Sequence, residues 1–198
     1  MSFVTPVTLT ARGIRLEPLA LAHEAGLREA AADGELWSIR VTSVPEPENT
    51  RKYIEDALKM REEGNRFAFC VIEESSGRVL GSSSYHDILP AIKRVEIGYT
   101  WYAQSMQRSH VNSTCKLMLM THAFETLQCR TVGWRTDNFN FRSQAAIERL
   151  GARKDGIIRG HALRRDGTVR DTVMYSMTAG EWPEAKAQLI YQVSKPRT

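Results

Sequence analysis

The chain has 198 residues, 42% of them hydrophobic and 25% charged, with a net charge of +4, which suits one sizeable core in an ordinary soluble domain. The charge excess is mild and no basic run is interleaved with aromatics, which argues against a nucleic-acid-binding module; no apolar stretch nears the roughly 18 residues of a membrane span. Cys70, Cys115 and Cys129 are odd in number and widely spaced, giving neither a disulfide framework nor a zinc pattern, and they fit a reducing cytoplasm. The stretch Met1 to Thr10 lacks the basic and apolar regions of a signal peptide.

Taken in chain order, Val7 to Glu17 reads as a first strand interrupted at Gly13, its second half alternating apolar and charged residues. Leu21 to Ala32 is rich in Ala, Leu and Glu and predicts a helix that stops at Asp33-Gly34. A loop with Trp37 and Pro45-Glu46-Pro47 leads to a second helix, Glu48 to Glu63, with Tyr53, Ile54, Ala57, Leu58 and Arg61 at helical spacing. Phe67 to Glu73 and Val79 to Tyr85 flank the turn signal Glu74-Ser75-Ser76-Gly77 and predict a hairpin. Lys93 to Tyr102 follows as a strand with Val95, Ile97 and Tyr99 on one face and Glu96, Gly98 and Thr100 on the other.

After the polar segment Ala103 to Asn112, Ser113 to Leu127 predicts a helix buried along Leu117, Met120, Ala123, Phe124 and Leu127. Thr131 to Thr136 is a strand, Arg142 to Leu150 a short helix, and Ile157 to Leu163 with Val169 to Thr178 a hairpin around Asp166-Gly167. From Glu181 onward the tail predicts a helix frayed near Lys195-Pro196. This order is an α+β pattern on a mostly antiparallel sheet, with one strand–helix–strand crossover from Lys93 to Thr136 that makes its two strands parallel.

That crossover carries the chemistry. A strand, Glu96-Ile97-Gly98-Tyr99-Thr100-Trp101-Tyr102, feeds the polar loop Gln107-Arg108-Ser109-His110-Val111-Asn112, which opens a helix. Free backbone N–H groups at a helix start suit a phosphate or pyrophosphate, although a plain capped helix start has the same spacing.

These blocks resemble the acetyl-CoA signature of the GCN5-related N-acetyltransferase (GNAT) superfamily: Gln or Arg, two residues, Gly, one residue, Gly or Ala. More closely they resemble its branch of ribosomal-protein N-terminal acetyltransferases, RimJ and RimL. The resembling blocks are Glu96 to Trp101, Gln107 to Lys116, His122 to Cys129, and Thr136-Asp137-Asn138-Phe139-Asn140-Phe141-Arg142-Ser143 through Arg149-Leu150-Gly151-Ala152. Two positions depart from the signature: His110 stands where the first loop glycine is usual, and Asn112 replaces the second small residue.

The resemblance implies a GNAT fold filling one domain, residues 1–198, with a mixed sheet of about seven strands splayed at the central parallel pair. It implies acetyl-CoA as donor and no metal. Backbone around Trp101, Tyr102 and Ala103 is expected to bond the pantetheine arm, and Gln107, Arg108, Ser109, His110, Val111 and Asn112 to hold the pyrophosphate. Asn140 and Ser143 match positions that meet the pantetheine or its sulfur, with helix capping as the plain alternative. The expected acceptor is a primary amine, on a protein N-terminus or a small molecule.

Acetyl transfer needs a neutral amine, a polarised thioester carbonyl and a stabilised thiolate. Glu96 on the central strand and His161 on the later hairpin are the candidate bases, with His86 and Asp87 behind them; Ser143 is the candidate acid, because Ile147 stands where the superfamily often has a tyrosine. Trp37, Trp134 and Trp182 read as core or interface anchors, and Trp182 and Tyr191 as aromatics available to a homodimer contact. The alternative on the same fold is a coenzyme A-binding protein without turnover, such as a sensor.

Overall fold

The computed structural model describes residues 3–195. Pro196 of the expected frayed end, and Met1 and Ser2, lie outside the described residues. The elements are β1 (Leu9–Ala11), β2 (Ile14–Pro18), α1 (Glu24–Ala32), α2 (Thr50–Glu62), β3 (Arg66–Glu73), β4 (Val79–Leu89), β5 (Arg94–Tyr102), α3 (Val111–Thr121), β6 (Thr131–Asp137), α4 (Phe141–Glu148), β7 (Arg153–Leu163), β8 (Val169–Thr178) and α5 (Trp182–Ser194). They build one sheet of order β1-β2-β3-β4-β5-β6-β8-β7, antiparallel throughout except at β5–β6. This is the expected α+β architecture, a mixed sheet with one parallel pair and flanking helices, with an eighth strand beyond the seven.

The extra strand comes from Val7 to Glu17, which is a hairpin. Arg12 and Gly13 both have positive φ, 51° and 76°. Two left-handed residues in succession make the tight turn whose twist suits antiparallel strands, so β1 folds back on β2 with Ala11 opposite Ile14.

Two cores cover the two faces of the sheet. On one, α3 and α5 bury Val111, Cys115, Leu119, Trp182 and Leu189 against Val95, Ile97, Val132, Trp134 and Tyr175. On the other, α1 and α2 bury Leu27, Ala31, Ile54 and Ala57 against Ala68, Cys70, Ile72 and Trp101. Trp182 is therefore not an exposed interface aromatic: it is 4% exposed, stacks on Phe124 and donates to Glu125 Oε1 at 2.8 Å. Tyr191, in the last turns of α5, is exposed.

The simple alternation expected along β5 fails at one place. Opposite β4, Trp101 pairs with Ser82 and Gly98 with Ser84, so Tyr99 and Thr100 together face Ser83. This is a β-bulge, with Tyr99 at φ 48°. The extra residue resets the phase: Tyr99 leaves the face of Val95 and Ile97 for the surface, and Thr100 turns toward α3. Helix α3 starts two residues earlier than its apolar stripe suggests. Its end widens into a π-turn, His122–Thr126, which seats buried His122 on the ring of Tyr85.

Candidate active site

The ladder between β5 and β6 has three pairs: Arg94 with Thr131, Val95 with Val132, and Glu96 with Gly133. Beyond them β5 continues along β4 to Tyr102, and β6 continues along β8 to Asp137. The strands diverge into a fork whose inner edges do not pair with each other. Ala103 N–H donates to Leu80 O at 2.8 Å, and Ala103 O accepts from Met106 N. Both backbone groups of Ala103 thus point away from the fork. By alternation along the strand, Tyr102 is the residue that turns its backbone groups into it, which narrows the expected pantetheine stretch.

At the mouth of the fork the chain makes a short 3-10 turn, Gln104–Met106, and then the loop into α3. Ser109 Oγ donates to Met106 O at 2.6 Å and accepts from Val111 N at 3.2 Å. The first bond of the helix is Thr114 N to His110 O, 2.9 Å, so the N–H groups of Asn112 and Ser113 are not consumed by the helix. They lie at its positive end, where a pyrophosphate is favoured. His110 is the N-cap, exposed, with φ −71°. That is right-handed backbone, so the departure from glycine costs no strain; the left-handed residue of the loop is Arg108, φ 58°.

Helix α4 closes the other side. Arg142 Nη2 donates to Gln107 Oε1 at 2.6 Å, tying α4 to the loop. Asn140 Oδ1 accepts from Ser143 N at 3.0 Å and so caps α4. Ser143 is half-buried, and its hydroxyl has no hydrogen-bond partner among the described residues. The Arg142–Gln107 bond thus brings the start of α4, with Asn140 and Ser143, beside the loop Gln107–Asn112.

Glu96 sits where the fork closes, fully buried, with Oε1 accepting from Arg94 Nη2 at 2.8 Å and Oε2 from Arg135 Nε at 2.5 Å. Arg135 continues outward to Asp87 Oδ2, 2.7 Å. Gly133 makes this possible, since a Cβ there would come within 2.9 Å of Glu96 Cγ. Next to Glu96, Gly98 lets the His86 ring lie flat on the strand; a Cβ would meet its Nε2 at 2.3 Å. Burial, then Arg135, pushes His86 down to about 3. Its ring is held in the neutral form, with Nε2 4.0 Å from Glu96 Oε2. His86, Asp87, Tyr99 and Arg135, with Met60 and Asn65, line a cleft of about 290 Å³ beside the fork.

His161 is not part of this cluster. It lies exposed on β7, its Nδ1 3.0 Å from Thr172 Oγ1. Thr172 pairs with Asp137, four residues along β6 from Glu96's partner Gly133. Glu96 and His161 are therefore separate candidates at opposite ends of the fork arm.

Asp137 anchors that outer end. Both its oxygens bond Arg164, at 2.6 and 3.1 Å, and Oδ1 also accepts from Phe139 N. Burial alone would raise the Asp137 carboxyl, but the Arg164 bonds and the Phe139 N–H outweigh it and hold it below its ordinary value. A carboxyl depressed in the folded state contributes stability that is present above its unfolded value, near about 3.9, and lost as pH falls through the folded value. The stability gap between the parent and Asp137→Asn, measured by urea unfolding, is therefore expected to be full at pH 5 and to shrink below pH 4. A gap constant down to pH 2 would show that the ion pair does not carry it.

Arg135, Arg66 and Lys116 lie beside the fork without having been singled out as site residues, and Tyr53, read from its spacing as part of the apolar stripe of α2, turns its hydroxyl to Arg66 and Trp101. The one sequence signal for them is Ser82-Ser83-Ser84, three small polar residues inside a central strand, which demand partners once buried.

An open fork in a mixed sheet, with a helix start at its mouth, is the architecture of an acetyltransferase-type fold. Residues 14–153 match the family described as Acetyltransferase (GNAT) domain, and the chain belongs to that family. It is 31% identical over 110 residues to the Bacillus subtilis protein named "Putative ribosomal N-acetyltransferase YdaF"; the match spans 56% of this chain and 59% of that relative's length. A GCN5-related N-acetyltransferase from Brucella melitensis superposes with a TM-score of 0.86 at 28% identity, covering 96% of this chain and 87% of the other. The ribosomal L7/L12 α-N-protein acetyltransferase RimL, solved in complex with coenzyme A, shares the fold with a TM-score of 0.73 at 20% identity, covering 87% of this chain and 98% of the other. The RimL likeness is one of fold, and the chain spans 59% of the length of the Bacillus subtilis relative. Among the described residues no His, Cys, Asp or Glu cluster could hold a metal, and no helix is long and apolar enough to cross a membrane.

Proposed function

We propose that this chain, as a single domain, transfers the acetyl group of acetyl-CoA to a primary amine, with a protein N-terminus as the favoured acceptor. The observation that carries this is the fork: β5 and β6 part after Glu96 and Gly133, and the start of α3 stands at the mouth. The family and the names of the relatives support the donor and the acceptor class.

In this reading the acceptor nitrogen attacks the thioester carbonyl in a ternary complex. The new C–N bond forms, the C–S bond breaks, and its electron pair leaves on sulfur. The nitrogen's proton goes to water or a base, and the thiolate takes up a proton. Tyr102 backbone lies along the pantetheine path, and the loop Gln107–Asn112 takes the pyrophosphate. Ser143, on α4, bonds the sulfur in this reading. Glu96, fully buried, reaches the amine only through water, whereas His161 meets solvent directly. The three buried free cysteines fit a cytoplasmic setting, and exposed Tyr191 is the aromatic left for a homodimer contact.

Calorimetric titration with acetyl-CoA tests the donor site, and a panel of N-terminal peptides and small amines tests the acceptor. Micromolar binding with turnover on a peptide is the expected result. Binding without turnover on any amine would identify a coenzyme A sensor, and no heat at millimolar donor would overturn the reading.

A further inference from the structure

Two buried cations stand on either side of the β5 bulge, and neither has a carboxylate partner among the described residues. On the α1/α2 face, Arg66 is 3% exposed. Its Nε donates to Ser84 Oγ at 3.0 Å and its Nη2 to Tyr53 OH at 2.9 Å, and its guanidinium lies over the Tyr99 ring, 3.9 Å from the centroid. On the α3 face, Lys116 is 6% exposed, and its Nζ donates to Thr100 Oγ1 at 2.8 Å. Thr100 Oγ1 is in turn 2.7 Å from Ser83 Oγ and 3.4 Å from Gly98 O. The serine run of β4 and the two bulge residues are thereby clamped from both faces.

A buried ammonium without a counter-ion costs stability. One hydroxyl is thin compensation, and an apolar side chain would pack the same space between helix and sheet at no such cost. The cost falls at the bulge, the segment of β5 that borders the fork where the thioester carbonyl would become an oxyanion. Burial brings Lys116 down to about 8. Cys115 beside it on α3 is pushed by burial up to about 12, Tyr102 against Cys115 is also raised, and His86 on β4 is pushed down to about 3. None of these three changes charge between pH 6 and 10, whereas Lys116 does.

We propose that Lys116 is a positioning residue for acyl transfer: through Thr100 it fixes the bulged turn Gly98–Thr100 against Ser83, and its positive charge lies behind the backbone facing the fork. This rests on the acetyltransferase reading. The residue does not touch the reacting atoms; it holds the backbone that does, and it favours the negative charge that develops there.

Lys116→Met tests it, since methionine keeps the length and removes the charge. The expected result is a kcat lower by about 10²-fold, the order seen for small misplacements of reacting groups, with KM for acetyl-CoA little changed and a thermal midpoint equal to or above the parent's. A side chain that served only structure would lower the midpoint instead. The ratio of parent to variant kcat, on the best acceptor of the panel, is expected to fall as pH rises through about 8, as the parent loses its charge and the variant has none to lose. Thr100→Val, which cuts the link and leaves the lysine, is expected to lower kcat in the same sense and decides the matter should Lys116→Met not fold. Unchanged kcat in the folded variants, or a ratio flat with pH, overturns the proposal while leaving parent turnover, and so the acetyltransferase reading, intact. A parent protein that turns over no acceptor overturns both.

Discussion

Glu96→Ala is expected to destabilise the protein by about 3 kcal/mol or more, at the lower end of the 3–5 kcal/mol found when one partner of a buried ion pair is removed. The carboxylate has no exposure and bonds two guanidinium groups, Arg94 and Arg135, each about a quarter exposed. Without it both cations remain at the closed end of the fork, where their partial exposure moderates the penalty. Arg135 retains Asp87, and Arg94 Nε already has no hydrogen-bond partner. Glu96→Gln keeps the shape and one acceptor oxygen and is expected to lose less. Urea unfolding reads both, as a shift in midpoint at constant slope. A loss under about 1 kcal/mol for the alanine variant would show that the arginines resolvate freely.

Gly81→Ala is expected to be comparably damaging for a different reason. Gly81 has φ 150°, and a Cβ there would come 2.1 Å from Trp101 O and 2.8 Å from Tyr102 Cα. Both are backbone atoms of the paired strand and cannot rotate away. The β4–β5 pair must separate where Tyr102 lines the fork, at a cost of about 3 kcal/mol or more. Gly77→Ala provides the control: its φ is 72°, but nothing lies within 4 Å of the added Cβ. Only backbone strain acts there, about 1–2 kcal/mol. Thermal unfolding of the two variants separates clash from strain, and equal losses would refute the clash.

Much of this architecture can be read from the chain. Apolar spacing places α1, α2 and α4 within two or three residues of where they lie, and Glu74-Ser75-Ser76-Gly77 marks the β3–β4 hairpin. The blocks Gln107 to Asn112 and Asn140 to Ser143 are marked by the family resemblance, and the Arg142–Gln107 bond joins them, though only the first lies in the crossover. Spacing is blind to positive φ at residues other than glycine, so neither the turn at Arg12 nor the bulge at Tyr99 can be read from it. It is equally blind to partners far apart in sequence. Arg135 reaches Glu96 across 39 positions, and Arg66 reaches Ser84 across 18. Burial of Lys116 is hidden for a related reason: a lysine on a helix reads as solvated until the strand beneath supplies a hydroxyl at the right height.

The fork also bears on how the molecule unfolds. Strands β1 to β5 form one ribbon and β6 to β8 another, sewn by a seam three residue pairs long. Hydrogen bonds along the sheet contribute little cooperativity between the ribbons; the core beneath α3 and α5 and the arginines on Glu96 must supply it. A donor molecule lying in the fork contacts both ribbons at once. Its binding free energy then works as a staple, adding to the free energy of separating them, so that the saturated protein melts as a more unified body than the free one.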